Sequence, residues 1–288
     1  MTTSTPPSTS SATRSQLWLQ RIGAAGALLA LLILAASILL RLATVFDAQG
    51  RSSSALAPLL EQSVRMAHRL SASGVALLAL WAVVLCWRCR RVAPQWARPT
   101  AWIVVSTLIL AVIGPLTSGY RLGAITVLNV SFGMLLLMSF WWLREAVQGG
   151  LGRPAPLDKF SWAALTALLL QVASGAGASA WEMQGLRWPA FVHLACVVFV
   201  LILAGVVLLD QYHKPWQRSR SFVVAGLLAA QVLVGYVLMA QAGRTLGLSL
   251  FHALLAPLLA GALVSLVKHG HGGFDHYHPN LDYGSFTK

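Results

Sequence analysis

Gln171-Val172-Ala173-Ser174-Gly175 and Gln231-Val232-Leu233-Val234-Gly235 share one pattern, and each is followed by a single histidine, His193 or His252. The separation from Gln to His is 22 residues in the first unit and 21 in the second. Each unit reads as an apolar segment, a short polar turn and a second apolar segment with its histidine near the start. Imidazole is the commonest metal-ligating side chain and the one whose charge changes near neutral pH. A hairpin that presents one imidazole, used twice, is a way for a helical bundle to build a site with two histidine ligands. His68 opens another apolar segment in the same manner.

These histidines sit in a chain that is 57% hydrophobic and 10% charged, with a mean hydropathy of +0.70. Soluble domains carry about 25% charged residues, so the composition implies an integral membrane protein. A spanning helix needs about 20 mostly apolar residues. Eight stretches qualify: Ile22–Leu42, Val64–Trp87, Trp102–Tyr120, Ile125–Leu143, Trp162–Trp181, Pro189–Leu209, Phe222–Gln241 and Leu248–Val267. The expected fold is all-α, with eight transmembrane helices in two pseudo-repeated four-helix bundles. Residues 1–17 are expected as a disordered cytoplasmic tail, 18–150 as the first half, 151–268 as the second and 269–288 as a histidine-rich cytoplasmic tail. The first apolar run is too long for a signal-peptide core and lacks a small-residue cleavage site, so it reads as a retained helix.

Short loops with many Lys and Arg stay on the cytoplasmic side. Arg88, Arg90, Arg91 and Arg98 follow the second span, Arg144, Arg153 and Lys159 the fourth, and Lys214, Arg218 and Arg220 the sixth. Both termini are therefore expected in the cytoplasm, and the chain in a bacterial inner membrane. The net charge of +13 is explained by this bias, without a nucleic-acid partner. Cys86 and Cys89 have a CxxC spacing, but a reducing cytoplasm argues against a structural disulfide. Cys196, one turn from His193, reads as a small packing residue.

With this topology His68, His193 and His252 fall near one plane toward the outer ends of the second, sixth and eighth helices. Ionisable residues within a membrane are costly and usually functional. Zinc would require three or four N, S or O ligands, and no third ligand recurs beside the pair. Haem needs one or two axial ligands and an apolar slot between helices. Phe191, Val192, Leu194, Phe251 and Leu254 would supply such walls, and Gly175, Gly177, Gly235 and Ala253 would admit close approach. Arg41, Arg51, Arg65, Arg69, Arg121, Arg187 and Arg244 lie at the outer ends, where guanidinium groups bind carboxylates bidentately. They fit either haem propionates or ordinary interfacial anchoring. Gln171 and Gln231 would orient a ligand or bridge helices.

The first four spans read as a degenerate copy of the last four. Ala67-His68-Arg69 corresponds to Val192-His193-Leu194, and Phe132-Gly133-Met134-Leu135-Leu136 to Phe251-His252-Ala253-Leu254-Leu255. Gly114 matches Gly235, and Gly133 stands where the second half has His252. The first half thus has one ligand candidate and the second has two.

This pattern resembles the heme A synthase family. The likeness rests on His68-Arg69, the two Gln-Val-x-x-Gly stretches, Leu122-Gly123-Ala124-Ile125-Thr126-Val127, His193 and His252, and it spans nearly the whole chain outside the tails. The resemblance implies a heme b held by His193 and His252, with Arg69, Arg187 and Arg244 as further haem-binding residues. It also implies a first-half pocket, with His68 and more weakly Glu61 as catalytic residues, where the methyl group of heme O is oxidised to a formyl group for cytochrome oxidase. Implied partners are the haem substrate, membrane lipid, and heme O synthase or cytochrome oxidase assembly factors. The chain departs from the family in three places. Arg65 stands where a Glu is expected, Gly133 replaces the fourth His, and the first outer loop lacks a cysteine pair.

Three other readings compete with the synthase. A non-catalytic haem-b protein would act in terminal-oxidase assembly or haem handling. A b-type electron carrier would place histidines at inner depth as well, which this chain does not. A transporter would show broken helices. The C-terminal tail, with His269, His271, Asp275, His276 and His278, reads first as solvated and second as a metal-binding segment.

Overall fold

Lipid offers a backbone N–H or C=O no hydrogen-bonding partner, so an apolar chain satisfies these groups within helices. The computed structural model describes residues 9–48, 58–117, 123–148, 159–182, 188–240 and 245–269. Among them the regular structure is entirely helical. The helices are α1 (Thr9–Ala48), α2 (Pro58–Cys89), α3 (Ala97–Ile113), α4 (Gly123–Gln148), α5 (Lys159–Glu182), α6 (Trp188–Tyr212), α7 (Arg218–Ala240) and α8 (Leu246–His269). Eight spans, one on each of these helices, are long and apolar enough to cross a membrane. The chain is an all-α, multi-pass membrane protein.

Two expected boundaries move for identifiable reasons. The third span was expected to reach Tyr120, but α3 ends at Ile113 and a short 3-10 turn covers Pro115–Thr117. Pro115 has no N–H with which to continue the ladder. The disordered tail expected over residues 1–17 is corrected at its end, because α1 already begins at Thr9. No proline follows Pro7 to interrupt that helix, and packing holds it: Gln16 Nε2 donates to the Val147 carbonyl at 3.0 Å, and Leu19 is fully buried. Residues 1–8, and the histidine-rich segment beyond residue 269, lie outside the described residues.

Within the first half α1 packs along both α2 and α4, while α3 lies on α2 and α4. Within the second half the principal pairs are α5 with α6 and α7 with α8. The α6–α7 contact is slighter, which leaves room between the two hairpins. The halves meet where α4 packs on α5 and α8, and where α1 reaches α8.

Small residues set the depth of these contacts, as in other membrane bundles. Gly26 of α1 receives the Phe140 ring of α4, and a Cβ added at Gly23 would stand 2.8 Å from the Arg144 amide nitrogen. Across the junction of the halves, Gly261 of α8 receives the Trp141 ring, and a Cβ there would stand 2.6 Å from it. One helical turn further, Trp141 Nε1 donates to Ser265 Oγ at 2.7 Å. Ser265 in turn donates to Glu145 Oε1 at 2.8 Å. Glu145 is buried, so this chain of donors supplies the carboxylate with a partner away from water.

The junction yields a stability prediction. Gly261→Leu would drive a branched side chain into Trp141 and should cost about 1–3 kcal/mol. Ser265→Ala, which removes both hydrogen bonds, should cost about 0.6–1.7 kcal/mol. Tryptophan-fluorescence melting of the purified protein in detergent would measure both. A Gly261→Leu variant as stable as wild type would disprove the close α4–α8 seat.

Candidate functional site

His193 lies in the second turn of α6 and turns toward α5. Its Nδ1 is 3.1 Å from the Gln171 backbone carbonyl oxygen and 3.2 Å from Ser174 Oγ. Ser174 Oγ itself donates to the Gln171 carbonyl at 2.9 Å. The arrangement favours the tautomer with Nδ1 protonated, donating into this pair of oxygens. The Nε2 lone pair is then left available, the state in which a histidine ligates a metal. A Cβ added at Gly175 would stand 2.9 Å from His193 Cε1 and 3.1 Å from Nδ1. The imidazole therefore lies against bare α5 backbone, and glycine is what makes room for it.

The second unit repeats this seat. A Cβ at Gly235 of α7 would stand 3.1 Å from His252 Cε1. His252 Nδ1 faces the Gln231 backbone but makes no hydrogen bond of regular geometry to it. The hydroxyl contact is missing as well, since the position equivalent to Ser174 is Val234. The repeated Gln-Val-x-x-Gly is thus a histidine seat, in which the backbone carbonyl at the Gln position faces Nδ1 and the Gly one turn on admits the ring.

Both histidines line one cavity of about 880 Å³ between α5, α6, α7 and α8. That is within the size range of cofactor and small-molecule sites. Gln171, Gln231, Gly175 and Gly235 line it as well, and its walls are mostly apolar. Of the expected wall residues, Phe191 and Leu194 are in place. Val192, Phe251 and Leu254 are absent from the lining. Leu168, Leu228, Leu259, Tyr236 and Met239 line the cavity instead. Most of these could have been found by stepping three, four or seven residues along the helix from Gln171, Gln231 and the two glycines. Gly177 serves another purpose, giving space to the Trp181 ring.

The first half arranges its expected residues differently. His68, partly buried, and the exposed Arg69 are on α2, and neither they nor Glu61 line this cavity. Because α2 begins at Pro58, His68 stands about three turns into its helix, against fewer than two for His193 and His252. The Glu61 carboxylate is engaged by Arg65, whose Nη2 and Nε lie 2.6 and 2.9 Å from Oε1. Gly133, the counterpart of His252, is buried, and a Cβ there would stand 2.8 Å from Leu34 Cδ2. Leucine packing thus covers the backbone where the second half holds an imidazole. Arg51, Arg121, Arg187 and Arg244 lie outside the described residues.

Among the described residues no three His, Cys, Asp or Glu side chains converge on one point. The three cysteines are free. Cys86 Sγ lies 3.0 Å from Thr100 Oγ1, a polar contact inside the α2–α3 packing. Glu145 is the buried carboxylate that the sequence pattern did not single out. It falls in the last turn of α4 beside Arg144, and only the fold brings it to Ser265.

No protein-family model matches the chain, and no curated protein does.

The unequal clearances over the two glycines make a prediction. Gly175→Ala should displace His193 and destabilise the protein by about 1–3 kcal/mol, and Gly235→Ala should cost less. Parallel melting curves of the two variants would check the order. Equal stability of Gly175→Ala and wild type would show that the ring does not rest on α5.

Proposed function

We propose that this chain is a membrane haem protein of heme A synthase type, with a heme b carried between His193 and His252. The observation that carries this reading is the paired seat, in which two imidazoles, each resting on a glycine, line one apolar cavity of about 880 Å³. The donor set suits haem better than zinc, since two histidines converge without a third ligand and the walls are apolar. The Gln171 carbonyl and Ser174 hydroxyl orient His193, the glycines hold both rings against the helices, and the leucine walls keep water away. A haem bound there would supply one-electron transfer. On this reading the first half works on heme O, with His68 and Arg69 contacting it and the methyl group oxidised to formyl, an oxidation whose electrons go to an external acceptor. Arg187 and Arg244 would meet propionates. The cation-rich loops after α2, α4 and α6 support a bacterial inner membrane location with both termini in the cytoplasm.

A second reading is favoured by a specific observation. Leu34 covers Gly133 and Arg65 engages Glu61, so two positions that depart from the family pattern are occupied by packing and by an ion pair. A chain that binds heme b without oxidising heme O would serve as a terminal-oxidase assembly or haem-handling factor.

The two readings separate in one experiment. The protein is purified after co-expression with a source of heme O, and its haem is extracted for pyridine haemochrome spectra and mass analysis. The synthase reading expects heme b together with heme A or a hydroxylated intermediate, and loss of the oxidised product in His68→Ala with heme b retained. Heme b alone, lost in His193→Ala and His252→Ala, would instead establish the assembly factor. Absence of haem from well-folded wild type would refute both.

A further inference from the structure

The end of the bundle that carries the cation-rich loops has a second cavity, of about 140 Å³, between α3, α4, α5 and α8. It is too small for a typical cofactor site, which occupies about 300–1,000 Å³. Its lining combines Trp102, Trp142 and Trp162 with aliphatic side chains, the hydroxyls of Ser139 and Thr166 and a single cation, Lys268. Trp142 and Trp162 meet edge to face with ring centroids 6.0 Å apart. Lys268 Nζ lies 4.3 Å over the Trp142 ring. Tryptophans at the end of membrane helices mark the headgroup level, where an amphipathic ring meets both lipid and water.

Among the described residues the lining of this cavity carries one charged side chain, Lys268. Lys268 is partly buried, and no carboxylate among the described residues pairs with it. Its charged neighbour is another cation, Arg98 in the first turn of α3. A partly buried ammonium without a carboxylate partner attracts an anion, because a charge away from water is costly unless it is paired, and the exposed Arg98 adds to the positive potential there. Basic pockets between transmembrane helices are where anionic headgroups bind. We propose that this cavity seats part of an anionic phospholipid, with its phosphate at Lys268 on the side of the exposed Arg98 and the start of an acyl chain against Trp102 and Trp162. The lipid would fill a gap between α3 and α5 at the junction of the two halves, independently of anything bound between His193 and His252.

Native mass spectrometry of the detergent-purified full chain tests the proposal, with equimolar phosphatidylglycerol and phosphatidylcholine of identical acyl chains. Wild type is expected to retain phosphatidylglycerol in preference to phosphatidylcholine. Lys268→Gln should reduce that preference about 5-fold, the effect of one cation at a membrane surface, and Lys268→Arg should keep it. Thr166→Trp, at an exposed position lining the cavity, should reduce phosphatidylglycerol retention while leaving the charge intact. Size-exclusion profiles matching wild type would show that the variants fold. Equal retention of the two lipids by wild type, an unchanged preference in Lys268→Gln, or undiminished retention in Thr166→Trp would overturn the proposal.

Discussion

Inside a bilayer every polar group must find its partner within the protein, and this constraint organises the molecule at each level. It makes the backbone helical wherever the chain is apolar. It also bears on the side chains, because a hydroxyl, amide or imidazole in the bundle is stabilised by bonding to a neighbouring helix or to its own. Ser131, Ser139 and Thr107 take the simplest course and donate to carbonyls one turn back. The more consequential cases cross between helices. His193 turns to the Gln171 carbonyl of α5, Trp141 to Ser265, and Ser265 to Glu145.

Close approach is the condition for those crossings, and small residues supply it. Lipid tails are as apolar as leucine, so helices in a membrane gain little from hiding aliphatic surface and depend on packing and on interhelical hydrogen bonds. Glycines are accordingly found under the residues that join elements: Gly26 under Phe140, Gly261 under Trp141, Gly175 under His193 and Gly235 under His252. The same device serves two ends. At Gly261 it locks the two halves together, and at Gly175 and Gly235 it sets imidazoles at the wall of a cavity.

The halves differ in how that device is used. In the second half the hairpins α5–α6 and α7–α8 leave space between them, and both imidazoles line it. In the first half α1 packs along both α2 and α4, and Leu34 of α1 rests on Gly133. Two similar hydrophobic patterns thus give unequal interiors, because a leucine from the first helix fills a position at which the second half carries a histidine.

The eight helices were legible in the sequence because long apolar runs in lipid have one stable backbone solution. His193, His252 and their glycines were legible as well, because the repeat places the same residue types at the same spacing twice. What the repeat was for was not legible. That the Gln carbonyl faces Nδ1 and the Gly makes room for the ring depends on how α5 lies against α6 and α7 against α8, and this is decided by interhelical packing. The same is true of the cavity walls, where Val192 and Phe251 were expected and Leu228 and Leu259 are found. A helix's rotation about its axis follows from its neighbours when nearly every face is apolar. Glu145 shows the limit most clearly: in the sequence it is one charge at a helix end, and tertiary structure makes it the buried acceptor joining α4 to α8.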